Sequence, residues 1–299
     1  MPSNRSEKTH PPRQLGPFTI EKEIWKGSRS TVYLARDTRD GATIALKVLY
    51  SRPDCSLEAQ HTNMENEATR LRLLTHPHIV SLRQKGEVEG VPYLSFPYID
   101  GQSLDQTIEL KRHTLPEMLE MTIKVCGALG YAHSRGIIHR DLKPRNILID
   151  SKREPYVLDW GLSWEKGAKA ERGVQNIVGT PAYMSPEQAR GEEEKLTESS
   201  DVYSIGAILY HVVIGKPPFV ANTSWKTMQM AMSLPPHPPS KLQTTVDLRL
   251  ERVILSCLQK EPEKRYQDAN VLAQDLQLAM NLENPKGPAG RLSRLFKRR

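Results

Sequence analysis

Residues 138–148 contain the most informative stretch of the sequence, Ile-His-Arg-Asp-Leu-Lys-Pro-Arg-Asn-Ile-Leu. This stretch has a carboxylate at Asp141, an ammonium group two residues later at Lys143 and a carboxamide five residues later at Asn146. These groups suit a proton acceptor, a phosphate contact and a metal ligand, which are parts that phosphoryl transfer uses. Thirteen residues after Asn146, an apolar run ends in Asp-Trp-Gly at 159–161, as expected at the end of a metal-binding strand.

Apolar patterning outside this stretch divides the chain into a strand-rich part and a helical part. Alternation of apolar and polar residues in the first third predicts strands over 18–25, 31–37, 42–50, about 79–85 and 93–96. A helix is predicted over 57–75, and it ends before Pro77 because the residue preceding a proline avoids the helical conformation. Beyond Asp100, helical periodicity predicts helices over 115–135, 199–215, 248–259 and 269–282. This order of elements predicts two lobes.

Composition and charge disfavour several classes of protein. The 299 residues carry a net charge of +7, but residues 286–299 alone hold six Lys or Arg and no acid. The region before this tail is therefore nearly neutral, whereas a nucleic-acid-binding domain carries a basic face of its own. Cys55, Cys126 and Cys257 are widely spaced, which disfavours a disulfide framework and a zinc site. The longest apolar run, 202–215, is shorter than the roughly 20 residues of a membrane span, and the polar N-terminus does not resemble a secretory signal.

Several separated motifs resemble those of the eukaryotic-like serine/threonine protein kinases of bacterial type. His-Arg-Asp-Leu-Lys-x-x-Asn at 139–146, followed by Asp-x-Gly, is a specific signature of that family. Residues 43–47 resemble its third-strand lysine motif, and residues 179–187 resemble the substrate-docking end of its activation segment. The resemblance covers about residues 15–282.

This resemblance implies an α+β, two-lobe protein kinase fold. The expected domain has a small β-rich N-lobe with one main helix at 15–99 and a larger α-helical C-lobe at 100–282. Residues 1–14 are expected to form a flexible N-terminal tail, and residues 283–299 a basic C-terminal tail.

The same resemblance implies catalytic roles for the matching residues. Asp141 is expected to orient the acceptor hydroxyl and accept its proton, and Lys143 to neutralise charge on the transferred phosphoryl group. Lys47, oriented by Glu67, is expected to bind the α- and β-phosphates of ATP. Lys143 is typical of kinases that phosphorylate serine and threonine.

A metal site, an ATP site and a docking segment are also implied. Asn146 and Asp159 are expected to bind Mg²⁺, with Mn²⁺ as an alternative ion. Phe96 matches the gatekeeper, and the backbones of Pro97 and Ile99 are expected to face adenine. The implied ATP-binding set is Ile24, Gly27, Val32, Ala45, Lys47, Glu67, Phe96, Pro97, Ile99 and Leu148.

The resemblance implies roles in substrate docking for two residues and structural roles for two others. Thr180 and Glu187 are expected to take part in substrate docking, with Thr180 contacting the catalytic loop. Asp201 and Arg265 match positions that brace this loop and pair with Glu187.

The glycine-rich loop departs from the family pattern. The spacing G-x-G-x-x-G-x-V falls on Trp25, Gly27, Ser30 and Val32, so only the middle glycine is kept. Glycine at this position lets backbone amides approach a phosphate closely. The loop is therefore expected to keep its phosphate contact, with Trp25 and Ser30 stiffening it or weakening ATP binding.

The activation loop departs as well, because residues 164–178 contain no Ser, Thr or Tyr. Arg140 precedes the catalytic Asp, and an arginine at this place pairs well with a phosphorylated loop residue. We therefore predict activity without loop phosphorylation, with Glu165 or Glu171 offering Arg140 a permanent carboxylate.

The basic tail contains Leu292, Leu295 and Phe296 on one helical face among cations. Two interpretations stay open: contact of residues 286–299 with an anionic membrane, and a solvated tail. The expected location is cytoplasmic, at the inner face of the membrane if the chain is part of a receptor kinase. Dimerisation stays open, and no nucleic-acid partner is expected.

The predicted function is Mg²⁺-dependent, in-line transfer of the γ-phosphate of ATP to Ser or Thr hydroxyls of protein substrates. A pseudokinase scaffold that uses the fold for regulated protein binding is the main alternative, and the altered glycine loop supports it. A small-molecule phosphotransferase of similar fold is a third, but such enzymes generally lack a docking segment like residues 179–187.

Overall fold

The computed structural model of the chain describes residues 14–27, 30–49, 57–165 and 180–283. The described residues form two compact units. A β-rich unit comprises those up to Thr75 and Val80–Ile99, and a helical unit comprises His76–Ile79 and those from Asp100 onward. The division after Ile99 lies where the sequence analysis separates the lobes, whereas residues 76–79 belong to the helical unit. The predicted α+β fold class is confirmed.

The β-rich unit is an antiparallel sheet with one described helix, α1 (Leu57–Leu73). Its strands run in the order β1-β2-β3-β4-β6-β5 across the sheet. They are β1 (Gln14–Leu15), β2 (Phe18–Lys26), β3 (Ser30–Asp37), β4 (Thr43–Leu49), β5 (Gln84–Val88) and β6 (Val91–Pro97). Glu89 and Gly90, both at positive φ, connect β5 to β6 as a two-residue hairpin loop requires.

Alternation along β3 and β4 gives the sheet two different faces. One face is a buried core that includes Tyr33, Ile44 and Leu46. Val32 and Lys47, directly opposite each other in the strand register, belong to the other face and are half-buried. Because side chains alternate along a strand, the sheet buries its core on one face and carries Lys47 on the other.

A buried carboxylate in this unit should make its stability depend on pH. Asp37 is 1% exposed and accepts bonds from Nε and Nη2 of Arg39, at 2.9 and 2.7 Å. These bonds lower the pKa of Asp37 from 3.8 to about 2. The unfolded chain therefore binds this proton more tightly than the folded chain does. The resulting stability is fully present above about pH 4 and is lost as the pH falls through about 2.

We expect Asp37→Asn to lower the free energy of unfolding at pH 7, and the difference from wild type to shrink as the pH falls from 4 towards 2. Urea unfolding at several pH values checks this, with the exposed Asp100→Asn as the control. A difference that stays constant down to the lowest pH at which the wild type is folded would contradict the prediction.

The helical unit consists mainly of helices around a buried central helix. Its helices are α2 (Leu104–Glu109), α3 (Leu115–His133), α4 (Pro186–Arg190), α5 (Glu198–Ile214), α6 (Ser224–Ser233), α7 (Pro239–Leu242), α8 (Leu248–Cys257) and α9 (Ala269–Glu283). Helix α5 is buried along nearly its whole length, as expected for a helix whose residues after Asp201 are mostly apolar. Both α3 and α8 pack against it, and α9 packs against α3 and α8.

Short strands in this unit carry the segments that concern function. They are β7 (Gly101–Ser103), β8 (Ile137–Ile138), β9 (Ile147–Asp150), β10 (Pro155–Val157) and β11 (Trp164–Glu165). Strand β9 pairs with β7 and β10, and β8 pairs with β11. The loops that join β8 to β9 and β10 to β11 therefore contain Asp141 and Asp159.

The strand predicted near 79–85 is wrong. The strand observed in this region, β5, begins only at Gln84. Ile79 instead forms an isolated bridge with Val157 inside the helical unit. Ile79 and Val80 are apolar because they are buried, although they do not belong to a strand of the sheet. Within the described ranges, no helix is both long and apolar enough to cross a membrane.

Candidate active site

The β-rich unit contains an ion pair between Lys47 and Glu67. Lys47 lies in the middle of β4, and Glu67 lies on α1 and is 5% exposed. The ammonium Nζ of Lys47 donates to both carboxylate oxygens of Glu67, at 2.8 and 3.1 Å. The predicted pairing is confirmed, and it holds the ammonium group in a defined position on the sheet.

The residues proposed to surround adenine are divided between the two units. In the β-rich unit, Ala45 pairs in register with Phe96, which packs beside the buried cluster containing Leu94. Ile24, by contrast, is 44% exposed in the irregular part of β2. Leu148 belongs to the helical unit, where it is half-buried in β9. Pro97, the end of β6, is exposed, and Ile99 is half-buried.

Gly27 lies against the exposed side chain of Trp25. Its N–H donates to the carbonyl of Ser30 at 2.9 Å. The indole of Trp25 lies so close that a Cβ on Gly27 would come within 2.6 Å of Cζ2. Trp25 therefore covers the surviving glycine, while residues 28 and 29 lie outside the described ranges.

The helical unit assembles the catalytic loop around Asp141, which is 7% exposed. Lys143 Nζ lies 2.5 Å from its Oδ2, and the hydroxyl of Thr180 donates to its Oδ1 at 3.2 Å. The amide nitrogen of Asn146 donates to the backbone carbonyl of Asp141 at 2.8 Å. The expected contact between Thr180 and the catalytic loop is thus confirmed, and the donors fix the orientation of the carboxylate.

A buried carboxylate beneath the loop holds its backbone. Asp201 accepts the N–H groups of His139 and Arg140 at 2.8 and 3.0 Å, and the Nε2–H of His133 at 2.8 Å. Burial by itself raises the pKa of Asp201, but the hydrogen bonds from His133 and from the backbone N–H of His139 outweigh it and leave the pKa below its usual value. The predicted brace is confirmed, and the sequence analysis missed His133 as part of it.

His139 connects the loop to the segment that carries Asp159. Its Nδ1 accepts the N–H of Asp141 at 3.3 Å, so its Nε2 donates to the carbonyl of Leu158 at 2.9 Å. The ring of Trp160 lies on that imidazole with 4.7 Å between centroids and is almost fully buried. The tryptophan of Asp-Trp-Gly therefore packs inside the helical unit.

Asn146 and Asp159 carry oxygen donors of the kind that Mg²⁺ binds. The N–H of Leu158 donates to the carbonyl of Asn146 at 2.8 Å, which brings the two segments together. Asp159 is exposed and has a left-handed backbone, with φ of 57°, and such strain is concentrated at functional positions. Mg²⁺ is commonly bound by one or two protein oxygen groups together with water and substrate phosphates. The donor set therefore fits the ion.

Glu187, the last residue of the docking segment at 179–187, is buried. Its carboxylate is 1% exposed and accepts two bonds of 2.7 Å from the guanidinium of Arg265 and one of 2.8 Å from Ser200. Burial raises the pKa of Glu187, but the bonds and charge of Arg265 outweigh this effect and lower it. The pair with Arg265 is confirmed. Because its oxygens face Arg265 and Ser200, Glu187 supports the docking segment from inside and does not offer its carboxylate to a substrate.

Two partners of Arg140 were not foreseen from the sequence. Its carbonyl accepts the side-chain N–H of Gln188 at 2.6 Å, and its Nη2 lies 3.3 Å from Oε1 of Glu193. Of the two residues predicted for this role, Glu171 lies outside the described ranges, and the side chain of Glu165 is not described. Ser185-x-x-Gln188 signals the start of a helix, but no local pattern distinguishes Glu193 from its acidic neighbours.

Comparison with known proteins identifies similar sequences. A model of the protein kinase domain family matches residues 18–276. The serine/threonine-protein kinase PknB of Mycobacterium leprae is 33% identical over 287 residues, which cover 94% of this chain and 46% of that protein. PknB of Mycobacterium tuberculosis is 35% identical over 270 residues, covering 88% and 42% respectively. A probable serine/threonine-protein kinase of Streptomyces coelicolor is 33% identical over 279 residues, covering 90% and 41%. The chain therefore spans less than half the length of these relatives.

Proposed function

Because this chain belongs to the protein kinase domain family, we propose that it transfers the γ-phosphate of ATP to Ser or Thr hydroxyls of protein substrates. The observation that carries the proposal is the arrangement around Asp141. A buried carboxylate receives the ammonium of Lys143 on one oxygen and the hydroxyl of Thr180 on the other. Both partners are typical of kinases that act on serine and threonine, and the similar proteins named above carry that description.

Asp141 accepts the proton of the substrate hydroxyl and orients its oxygen for attack. General-base catalysis of this kind requires an acceptor with a fixed direction, which the bonds from Lys143, Thr180 and Asn146 supply. Lys143 neutralises negative charge on the transferred phosphoryl group. Since phosphoryl transfer depends mainly on positioning and electrostatic stabilisation, the rigidity of the loop is itself part of the mechanism.

The proposed phosphate contact belongs to the β-rich unit and the proposed metal ligands to the helical unit. In the β-rich unit, Lys47, held by Glu67, binds the α- and β-phosphates. In the helical unit, Asn146 and Asp159 hold Mg²⁺, which when bound neutralises charge on the phosphates. Oxygen ligands of this kind suit Mg²⁺ and Mn²⁺ alike, so Mn²⁺ stays the alternative ion.

The remaining predicted ATP contacts are proposed on the same basis. The apolar and backbone groups assigned to adenine are those of Ile24, Val32, Ala45, Phe96, Pro97, Ile99 and Leu148, and Gly27 is assigned to the phosphates. The pseudokinase alternative rested on the altered glycine loop, and the assembled Asp141 arrangement argues against it.

Asp159→Asn should lower the rate of metal-dependent transfer by on the order of 10²-fold or more. The variant should bind the cation more weakly, and a bound cation contributes several kcal/mol to stabilisation of the transition state. The assay measures transfer of labelled γ-phosphate from ATP to a basic test protein, with Mg²⁺, Mn²⁺ or excess chelator. Asp268→Asn is the matched control, since Asp268 is also an exposed aspartate and accepts only local bonds from Asn270.

Three outcomes separate the possibilities. Transfer by the wild type that is lost with chelator and with Asp159→Asn supports the proposal. Thermal stabilisation by Mg-ATP with no transfer would favour the pseudokinase alternative. Equal transfer by the Asp159→Asn and Asp268→Asn variants would contradict the metal assignment.

A further inference from the structure

Arg140 has an unusual backbone conformation directly before the catalytic Asp141. Its φ is 67°, a left-handed conformation that side chains with a Cβ disfavour. Such a conformation persists only where the surroundings impose it. Asp201 holds the N–H of Arg140 and Gln188 holds its carbonyl, so two bonds fix the backbone on either side of this residue.

The side chain of Arg140 is held by a third contact, to Glu193. The Arg140 side chain is 16% exposed and that of Glu193 is 42% exposed, with 3.3 Å between Nη2 and Oε1. A largely buried guanidinium requires a counter-charge, because burying a charge without one is costly. Glu193 provides this charge from within the described part of the helical unit.

Glu193 is presented by a fixed turn. Helix α4 ends at Gly191, whose φ is 70°, and the following residues form a 3₁₀ turn at Glu193–Lys195. The N–H of Glu192 donates to the carbonyl of Glu187 at 3.0 Å, and the N–H of Glu193 donates to the carbonyl of Gly191 at 3.0 Å. Since the Glu187 carboxylate is itself anchored by Arg265, the turn is tied to the interior of the unit.

The sequence explains why such a contact matters here. Arginine–phosphate pairs order the activation loops of many kinases, and a phosphate adds about 1.5 to 2 negative charges. Residues 164–178 contain no Ser, Thr or Tyr, so that stretch cannot carry the phosphate. A carboxylate opposite Arg140 is a charge that needs no modifying enzyme.

We propose that Glu193 is a built-in counter-ion of Arg140, a positioning residue that keeps Arg140 and Asp141 in their catalytic arrangement without phosphorylation of residues 164–178. This inference rests on the proposed kinase function. Glu193 acts through Arg140 and does not touch the substrate. The purified chain is therefore active as synthesised, and the charge at position 193 sets part of its kcat.

The test compares phosphatase-treated wild type with Glu193→Gln, Glu193→Asp and Glu193→Lys, measuring kcat and KM for ATP. Removing the charge should lower kcat by about twofold to fivefold, the range of a partly exposed ion pair. Reversing it should lower kcat further, while the shorter carboxylate should restore part of the loss. The KM for ATP should stay unchanged. Glu194→Gln and Glu194→Lys are the matched controls, because Glu194 is the exposed neighbour on the same turn.

Each outcome has one meaning. A wild type that keeps its kcat after phosphatase treatment, with losses confined to the position-193 variants, supports the proposal. Equal kcat for Glu193→Gln and Glu194→Gln, or a loss of more than tenfold when the wild type is dephosphorylated, would overturn it while leaving the kinase function intact. Absence of transfer by the wild type before and after treatment would instead contradict the kinase function, and the inference would fall with it.

Discussion

Replacing Asp141 by Asn should lower kcat for phosphate transfer by about 10²- to 10⁴-fold, the usual contribution of a positioned general base. Asparagine keeps the size of the side chain but cannot accept the hydroxyl proton. It also offers an NH₂ group where Lys143 Nζ now lies 2.5 Å from a carboxylate oxygen. Both effects act at the reacting hydroxyl. We therefore expect the loss in kcat with little change in the KM for ATP, measured by initial rates at saturating Mg-ATP.

The control for this variant is Asp247→Asn. Asp247 lies in the same unit and caps α8 by accepting the N–H of Arg249 at 2.7 Å, and asparagine caps helices about as well as aspartate does. Its kcat should match that of the wild type. A loss of less than tenfold for Asp141→Asn, in a variant that melts within a few degrees of the wild type, would show that Asp141 is not the base.

The family and the main elements were predictable because their signals are local. Family membership, bacterial type included, is confirmed, as is the α+β class. The helices predicted over 115–135 and 199–215 lie within two residues of α3 and α5, because apolar periodicity and the glycines after each helix mark their limits. Helices α2, α4 and α7 were not predicted, since four to six residues give too little periodicity. Helix α6 was missed as well, although α8, which has the same length of ten residues, was predicted.

Pairing between distant segments was predictable only where a family motif indicated it. The Lys47–Glu67 pair and the Glu187–Arg265 pair followed from the resemblance, although each joins residues far apart in the chain. Glu193 had no such motif. Its approach to Arg140 depends on how α4 and the following turn fold back onto the catalytic loop, which is a tertiary property that no window of sequence contains.

Arg265→Met should destabilise the helical unit by about 3–5 kcal/mol, the cost of leaving a buried charge without its partner. The carboxylate of Glu187 would lose both bonds from the guanidinium, in a place where neither side chain is more than 1% exposed. The backbone carbonyls of Ser199, Gln259 and Lys260 would lose their donor as well. For a protein of this size the melting temperature should fall by roughly 6–20 °C, followed by circular dichroism at 222 nm.

Arg252→Met is the matched control, because Arg252 is an exposed arginine on α8 and its loss should change stability by at most about 0.5 kcal/mol.

The double variant Glu187→Leu with Arg265→Met tests whether the destabilisation comes from leaving one charge of the pair buried alone. Because removal of both charges leaves neither one buried alone, the double variant should be less destabilised than the sum of the two single variants. Strict additivity, or an Arg265→Met melting temperature equal to that of Arg252→Met, would mean that the pair does not hold the docking segment in place. Glu193, which lies in the turn after the helix that contains Glu187, should then keep its contact with Arg140 even in the Arg265→Met variant. If the pair does anchor the segment, Arg265→Met should also lower kcat at temperatures where the protein remains folded, because the turn that presents Glu193 loses its attachment.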